Sequence, residues 1–211
     1  MNNPATNQPA SPLNDLLKRP DIWQGRQICE HFPDACSTGF KPLDKVLSSQ
    51  GWPQGFLSEI LYPKAGIGEL RLIFPLLREQ IKHGEISWVN PPFLLNSAAL
   101  ASADLSLEKQ LIIQSSTTQD SYWAMEQMLL SDDCSVVIGW GEPADAQALR
   151  RLQLAAAEGN SYMILFRSPS AALNPSPAAL RLSLQAAEKG LWITVFKQRG
   201  QSSQHPLWID V

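Results

Sequence analysis

The chain has 211 residues, 44% hydrophobic and 18% charged, the make-up of one soluble globular domain with its own core. A net charge of −3 and a pI near 5.6 exclude a strong, sequence-independent grip on nucleic acid, which draws its affinity from Lys and Arg at phosphates. Cys29, Cys36 and Cys134 lack C-x-x-C spacing, which argues against a zinc site or a disulfide framework, and no apolar run reaches the ~20 residues of a membrane helix.

In chain order, residues 1–12 are rich in Asn, Pro, Ala, Ser and Gln, without the basic start or apolar core of a signal peptide, and are expected to form a disordered tail. Residues 13–55 read as an arm and a lead-in; Leu16, Leu17, Ile22 and Trp23 make 13–27 a short helix packing on the body. The body, 56–211, opens with a buried strand at 56–61 and a loop at 62–70. Ile67, Leu70, Ile73, Phe74, Leu77 and Ile81 then recur at helical spacing, with Pro75 placed to kink the helix. Strands follow at 85–90 and 110–115, and a helix at 121–130 whose apolar face is Trp123, Met125, Met128 and Leu129. The continuous apolar run at 134–140 predicts a central parallel strand, the Ala-rich stretch 144–158 a helix closed by Gly159-Asn160, and 162–166 a second central strand. Alternation becomes strict at 180–185, 191–197 and 207–211, which predicts three half-buried antiparallel strands extending a mostly parallel α/β sheet.

The loop from Tyr62 to Leu70 lies between strand and helix, where a nucleotide-binding loop would sit. In a working phosphate loop, G-x-x-x-x-G-K-[ST], backbone N–H groups cradle phosphates, the Lys neutralises charge and the hydroxyl holds magnesium. With Gly68 on the last motif glycine, Pro63 falls at the first, Glu69 at the Lys and Leu70 at the hydroxyl residue. Charge opposes a nucleotide triphosphate there and no metal ligand assists it. Lys64 reads as a solvent-exposed loop lysine, and Gly66 with Gly68 as a tight turn. His31, His83 and His205 have no ligand or triad spacing and no G-x-S-x-G elbow is present, so neither enzyme activity, cofactor nor metal is expected.

Arg150 and Arg151, and Lys197 with Arg199 at a hairpin tip, read first as a solvated helix face and a charged turn, and second as contacts for a partner or DNA. Trp88, Trp123, Trp140 and Trp192 read as core. Trp52 in a loop and Trp208 on a terminal strand read as interface anchors.

The segment Ser37-Thr38-Gly39-Phe40-Lys41-Pro42-Leu43-Asp44, the glycine turn Gly51-Trp52-Pro53-Gln54-Gly55 and the strand after it resemble the approach to the phosphate loop in RecA-type cores. Ile22 to Gln27, Gly66 to Leu72, Trp123 to Gln127, Leu149 to Gly159 and Lys197-Gln198-Arg199-Gly200 are similar to the ImuA family, accessory proteins of damage-induced translesion synthesis. Val136-Val137-Ile138-Gly139-Trp140, Glu158-Gly159-Asn160 and Phe166-Arg167 also resemble SulA, inhibitors of the division protein FtsZ. On the RecA pattern the catalytic carboxylate falls near Pro92, the magnesium-associated Asp near Trp140 and the phosphate-sensing Gln near Arg167, so the resemblance implies a RecA-like core without ATP chemistry. The ImuA resemblance implies a cytoplasmic accessory of SOS-induced translesion synthesis that works with an ImuB-like inactive Y-family protein and an error-prone polymerase, and touches RecA. The alternative it leaves is a SulA-like inhibitor that binds FtsZ; nucleic acid contact is weak or indirect in either case and no membrane is involved.

Overall fold

A computed structural model of the chain describes residues 35–143, 145–199 and 205–211. The expected tail and arm, Cys29, His31 and Gly200 lie outside the described residues. The strands are β1 (Ala35–Cys36), β2 (Trp52–Pro53), β3 (Leu57–Leu61), β4 (Glu85–Val89), β5 (Gln110–Ile113), β6 (Cys134–Trp140), β7 (Tyr162–Arg167), β8 (Leu180–Ala186), β9 (Leu191–Gln198) and β10 (Leu207–Ile209). The α-helices are α1 (Lys41–Val46), α2 (Phe74–Gln80), α3 (Ser97–Ser102), α4 (Thr118–Leu129) and α5 (Ala146–Glu158). Strands β3 to β10 form one sheet in the order β10-β9-β8-β3-β7-β6-β4-β5.

The most apolar strands take the middle of the sheet. β3 and β7 are buried at every position and β6 at all but Ser135, because helices or loops cover both faces. One face carries Ile60, Trp88, Ile138, Ile164 and Phe166 and packs on Leu72, Ile73, Leu76 and Leu77 around α2, and on Leu43, Leu47 and Trp52 of the lead-in. The described part of the lead-in therefore shares the core of the body. The opposite face, with Leu57, Val137, Met163 and Leu165, packs on Tyr122, Met125 and Leu129 of α4 and Leu149, Leu152 and Ala156 of α5. Each such side chain contributes about 1.5–3 kcal/mol of apolar burial.

α4 and α5 begin at the side chains of Thr117 and Asp145, which accept the backbone N–H groups of Asp120 and Ala148. Their C-terminal ends touch at Gly159, where a Cβ would stand 1.8 Å from the Leu129 carbonyl oxygen. Only glycine fits there.

Four expectations need correction. The helix read over residues 67–81 is confined to α2, and Pro75 lies in its first turn, where a missing N–H costs nothing, so Pro75 starts the helix instead of kinking it. β8 is not antiparallel to the main sheet: it runs parallel to β3, with Glu59 opposite Arg181, and the antiparallel pairings are β8 with β9 and β9 with β10. The polar face of β8 is covered too, since Arg181 is buried. Trp123 (60% exposed) and Trp192 (44%) are not core; the buried stripe of α4 runs through Ser121, Tyr122, Met125 and Leu129. α3, begun by the Asn96 side chain accepting from Ala98 and Ala99, has no counterpart among the predicted elements.

Leu182 and Leu184 of β8 pair with Val195 and Ile193 of β9, and all four side chains are buried. Truncation after Gly190 removes β9 and β10 and bares this face. The shortened chain is expected to aggregate or to melt well below the full chain in a thermal scan; a soluble fragment with an unchanged Tm would show the last strands to be accessory.

Candidate functional site

At the C-terminal end of β3 the chain turns through Gly66 and Gly68, whose φ values of +86° and +97° suit glycine. Glu69 then folds back into this turn. Its carboxylate accepts the Gly66 N–H at 3.0 and 3.1 Å and the Ile67 N–H at 3.0 Å, and the side chain is buried. Donors that a phosphate loop would aim at its ligand are bound here by the chain's own anion. Glu69 therefore does more than stand in the place of a lysine: it fills the turn. Leu70 packs against the core, while Pro63 and Lys64 face solvent.

Beside this turn the strand ends are filled by rings. Trp140 stacks on Phe166 (centroids 5.1 Å apart, 13° between planes) and on Trp88 (6.2 Å, 15°), and Tyr62 meets Phe166 edge-on at 5.4 Å. Trp140, expected where a RecA-type core holds its magnesium-associated Asp, is a core residue. The lead-in motif also has a structural role. Asp44 accepts from the Ser37 hydroxyl (2.6 Å), the Thr38 hydroxyl (2.7 Å) and the Thr38 N–H (2.9 Å), which fixes the turn before α1.

On the opposite face lies a charge network that the sequence reading missed. Glu59, at the middle of β3 and fully buried, accepts from Arg167 of β7 (2.9 Å) and from Arg181 of β8 (2.6 Å). The Ser176 hydroxyl donates to the same carboxylate at 2.8 Å. Arg167 also reaches Glu142 (2.6 and 3.0 Å), and Glu142 accepts the Ser168 N–H at 2.8 Å. The available signal was a single charge in each of three largely apolar strands. Burial lowers the proton affinity of Arg167, but Glu142 and Glu59 outweigh it and the guanidinium is held above its usual value. Burial pushes the Tyr122 hydroxyl up.

Burial likewise opposes ionisation of Glu142, yet the Ser168 N–H and the Arg167 guanidinium prevail and hold the carboxyl below its ordinary value of 4.5. A native value below the unfolded one contributes stability that is complete above the unfolded value and lost as pH falls through the native one. Glu142→Gln should therefore flatten the acid limb of a stability-versus-pH curve measured by urea unfolding. The half-exposed carboxylate limits the effect to under about 1 kcal/mol.

The six candidate contact residues do not converge. Trp52 is 0% exposed, on β2 and not in a loop, and belongs to the same core cluster as Leu43 and Leu47, so it is no interface anchor. Lys197 is held by the Ser176 carbonyl and Arg199 lies over the Phe56 ring at 4.3 Å, so these two serve the fold. Trp208 is partly exposed on β10 and donates its indole N–H to the Lys189 carbonyl at 2.8 Å. Arg150 and Arg151 are exposed on α5, where Arg151 pairs with Glu126 of α4 at 3.2 Å.

A surface missed by the sequence reading is β5, the last strand of the sheet among the described residues. Ile112 (46% exposed) and Leu111 stand open there, with Leu107 just before the strand. Phe93 (70%) and Leu94 (91%) lie on the segment leaving β4, where the Asn90 N–H binds the Ile113 carbonyl at 2.9 Å. Edge strands are commonly protected by charge, proline or a bulge; β5 itself has none of these. Among the described residues no group of three His, Cys, Asp or Glu side chains is arranged to hold a metal ion, and no helix is long and apolar enough to cross a membrane.

Comparison with known proteins bears on what this arrangement serves. A family model described as "Cell division inhibitor SulA" matches residues 55–163, just over half of the chain. A protein named cell division inhibitor SulA from Serratia proteamaculans is 28% identical over 129 residues, covering 61% of this chain and 76% of the relative. A Yersinia pestis protein of the same name is 30% identical over 114 residues, covering 54% of this chain and 68% of the relative. A crystal structure of SulA from Pseudomonas aeruginosa overlaps 53% of this chain and 97% of its own, at 24% identity and a TM-score of 0.44. These matches overturn the expected translesion-synthesis role and its ImuB-like and polymerase partners: the model and these relatives are all division inhibitors. The segment 37–44 of the RecA-type resemblance and the segment 197–200 of the ImuA resemblance lie outside the matched residues, and the first is accounted for by the Asp44 turn.

With its turn filled by Glu69, the protein should neither hydrolyse ATP nor bind it with micromolar affinity in isothermal titration. A DNA-stimulated ATPase activity abolished by Gly68→Asp would show instead that the turn opens to phosphate.

Proposed function

The chain belongs to the SulA family of cell division inhibitors, and we propose on that premise that it arrests division by binding FtsZ and preventing its polymerisation. The observation that carries this reading is the match over residues 55–163, which spans the sheet from β3 into β7 with the β5 edge inside it. The reading assigns no catalytic step. It places the protein in the cytoplasm with its target and its expression under the DNA-damage response. A RecA-type origin of the fold is part of the same proposal, supported by the parallel sheet and the glycine turn after its first strand.

The contact surface we assign is the β5 edge with Phe93 and Leu94. Large exposed apolar side chains clustered at a sheet edge suit a partner that covers them, and aromatic and aliphatic anchors carry most of the energy of such contacts. Overproduction should make cells filament, and the purified protein should suppress GTP-dependent FtsZ assembly in light scattering. Phe93→Glu and Ile112→Lys, at exposed positions, should each weaken that suppression by roughly tenfold or more without lowering Tm. Normal cell length together with unimpaired FtsZ assembly would overturn the assignment.

A further inference from the structure

A groove of about 630 Å³ runs between α5 and the segment 175–177, on the side of the sheet that carries the charge network. Ala146, Arg150 and Leu154 form one wall and Pro175, Ser176 and Pro177 the other. The lining is mostly apolar: Leu154 is 67% exposed, and the two prolines present rings and no N–H.

The second wall is held from beneath. The Ser176 hydroxyl is bound to buried Glu59, the Ser176 carbonyl accepts from Lys197, and Arg181 donates to the carbonyls of Ala171 (2.6 Å) and Asn174 (3.1 Å). A groove fixed in this way orders little on binding, which favours a short ligand. Arg150 stands at its rim without an ion pair among the described residues, whereas Arg151 beside it is engaged by Glu126.

We infer that this groove binds an extended peptide segment that alternates acidic and aliphatic residues, a carboxylate meeting Arg150 and an aliphatic side chain entering between Leu154 and the two prolines. One uncommitted guanidinium above an apolar lining matches a single carboxylate with a hydrophobic neighbour. It does not match a nucleic-acid backbone, which requires several cations in a row. The first wall lies within residues 55–163 and the second, Pro175 to Pro177, beyond them; the groove shares no residue with the β5 edge, so it provides a second docking site.

The test is fluorescence anisotropy with the full chain and a fluorescein-labelled peptide of alternating Asp and Leu. Saturable binding at roughly tens of micromolar in low salt is expected, weakened about tenfold or more by Arg150→Glu or by Leu154→Asp and weakened again by added salt. Both side chains are exposed, and an unchanged Tm would establish that the variants remain folded. Equal binding by Arg150→Glu and the unsubstituted chain, or equal binding of a Lys-Leu peptide, would overturn the inference. So would either of two competing occupants: an oligothymidylate whose binding Arg150→Glu abolishes, or self-association in sedimentation that the same substitution removes.

Discussion

Glu59 is the constraint on which the rest of the structure depends. A carboxylate at the centre of a fully buried strand is tolerated only if its charge is matched and its oxygens are satisfied. Here the strand on each side supplies a guanidinium, Arg167 from β7 and Arg181 from β8, with Ser176 as a further donor. Apolar burial alone would permit other neighbours for β3. The charge does not, because moving either neighbouring strand away takes a guanidinium from a carboxylate that is fully buried. It favours the observed order and register of the three central strands and, through the carbonyls bound by Arg181, it holds the segment that follows β7.

The two faces of the sheet then close the same edge by different means. Parallel sheets usually receive ligands in the crevice at the C-terminal ends of their strands. On the α2 side that crevice is occupied by the Trp88, Trp140 and Phe166 stack and by a turn capped by its own Glu69. On the α4 and α5 side it is occupied by the Glu59, Arg167 and Glu142 network. The surfaces proposed for recognition are peripheral: an edge strand with exposed aliphatic side chains and a groove beside α5. A protein that inhibits an assembly by docking needs surfaces of this kind, and a rigid closed core suits it better than a ligand cleft.

Much of this was legible in the residues. The runs at 134–140 and 162–166 are too continuously apolar to be anything but central strands, and the structure has β6 and β7 there. The sequence reading set Glu69 at the lysine position of a phosphate-loop pattern. Sequence did not show that Glu69 turns inward, because a carboxylate at that position could as well face water; its direction is set by the backbone donors that Gly66 and Ile67 present once both glycines take positive φ. Trp52 in a loop and Trp192 on a strand were read the wrong way round for a related reason. Chain position says nothing about what covers a side chain: Trp52 lies in the core cluster with Leu43 and Leu47, while Trp192 is 44% exposed.

The sequence by itself determined the α/β class and most of the strands, because these rest on local periodicity. Only the tertiary structure decided the direction of β8, the burial of Arg181 and the place of β5 at the end of the sheet. Alternation along 180–185 shows that two faces differ, not which neighbour covers the second one. A buried charge becomes intelligible only when the strand bearing its counter-charge is beside it, and Arg181 lies 122 positions from Glu59 along the chain.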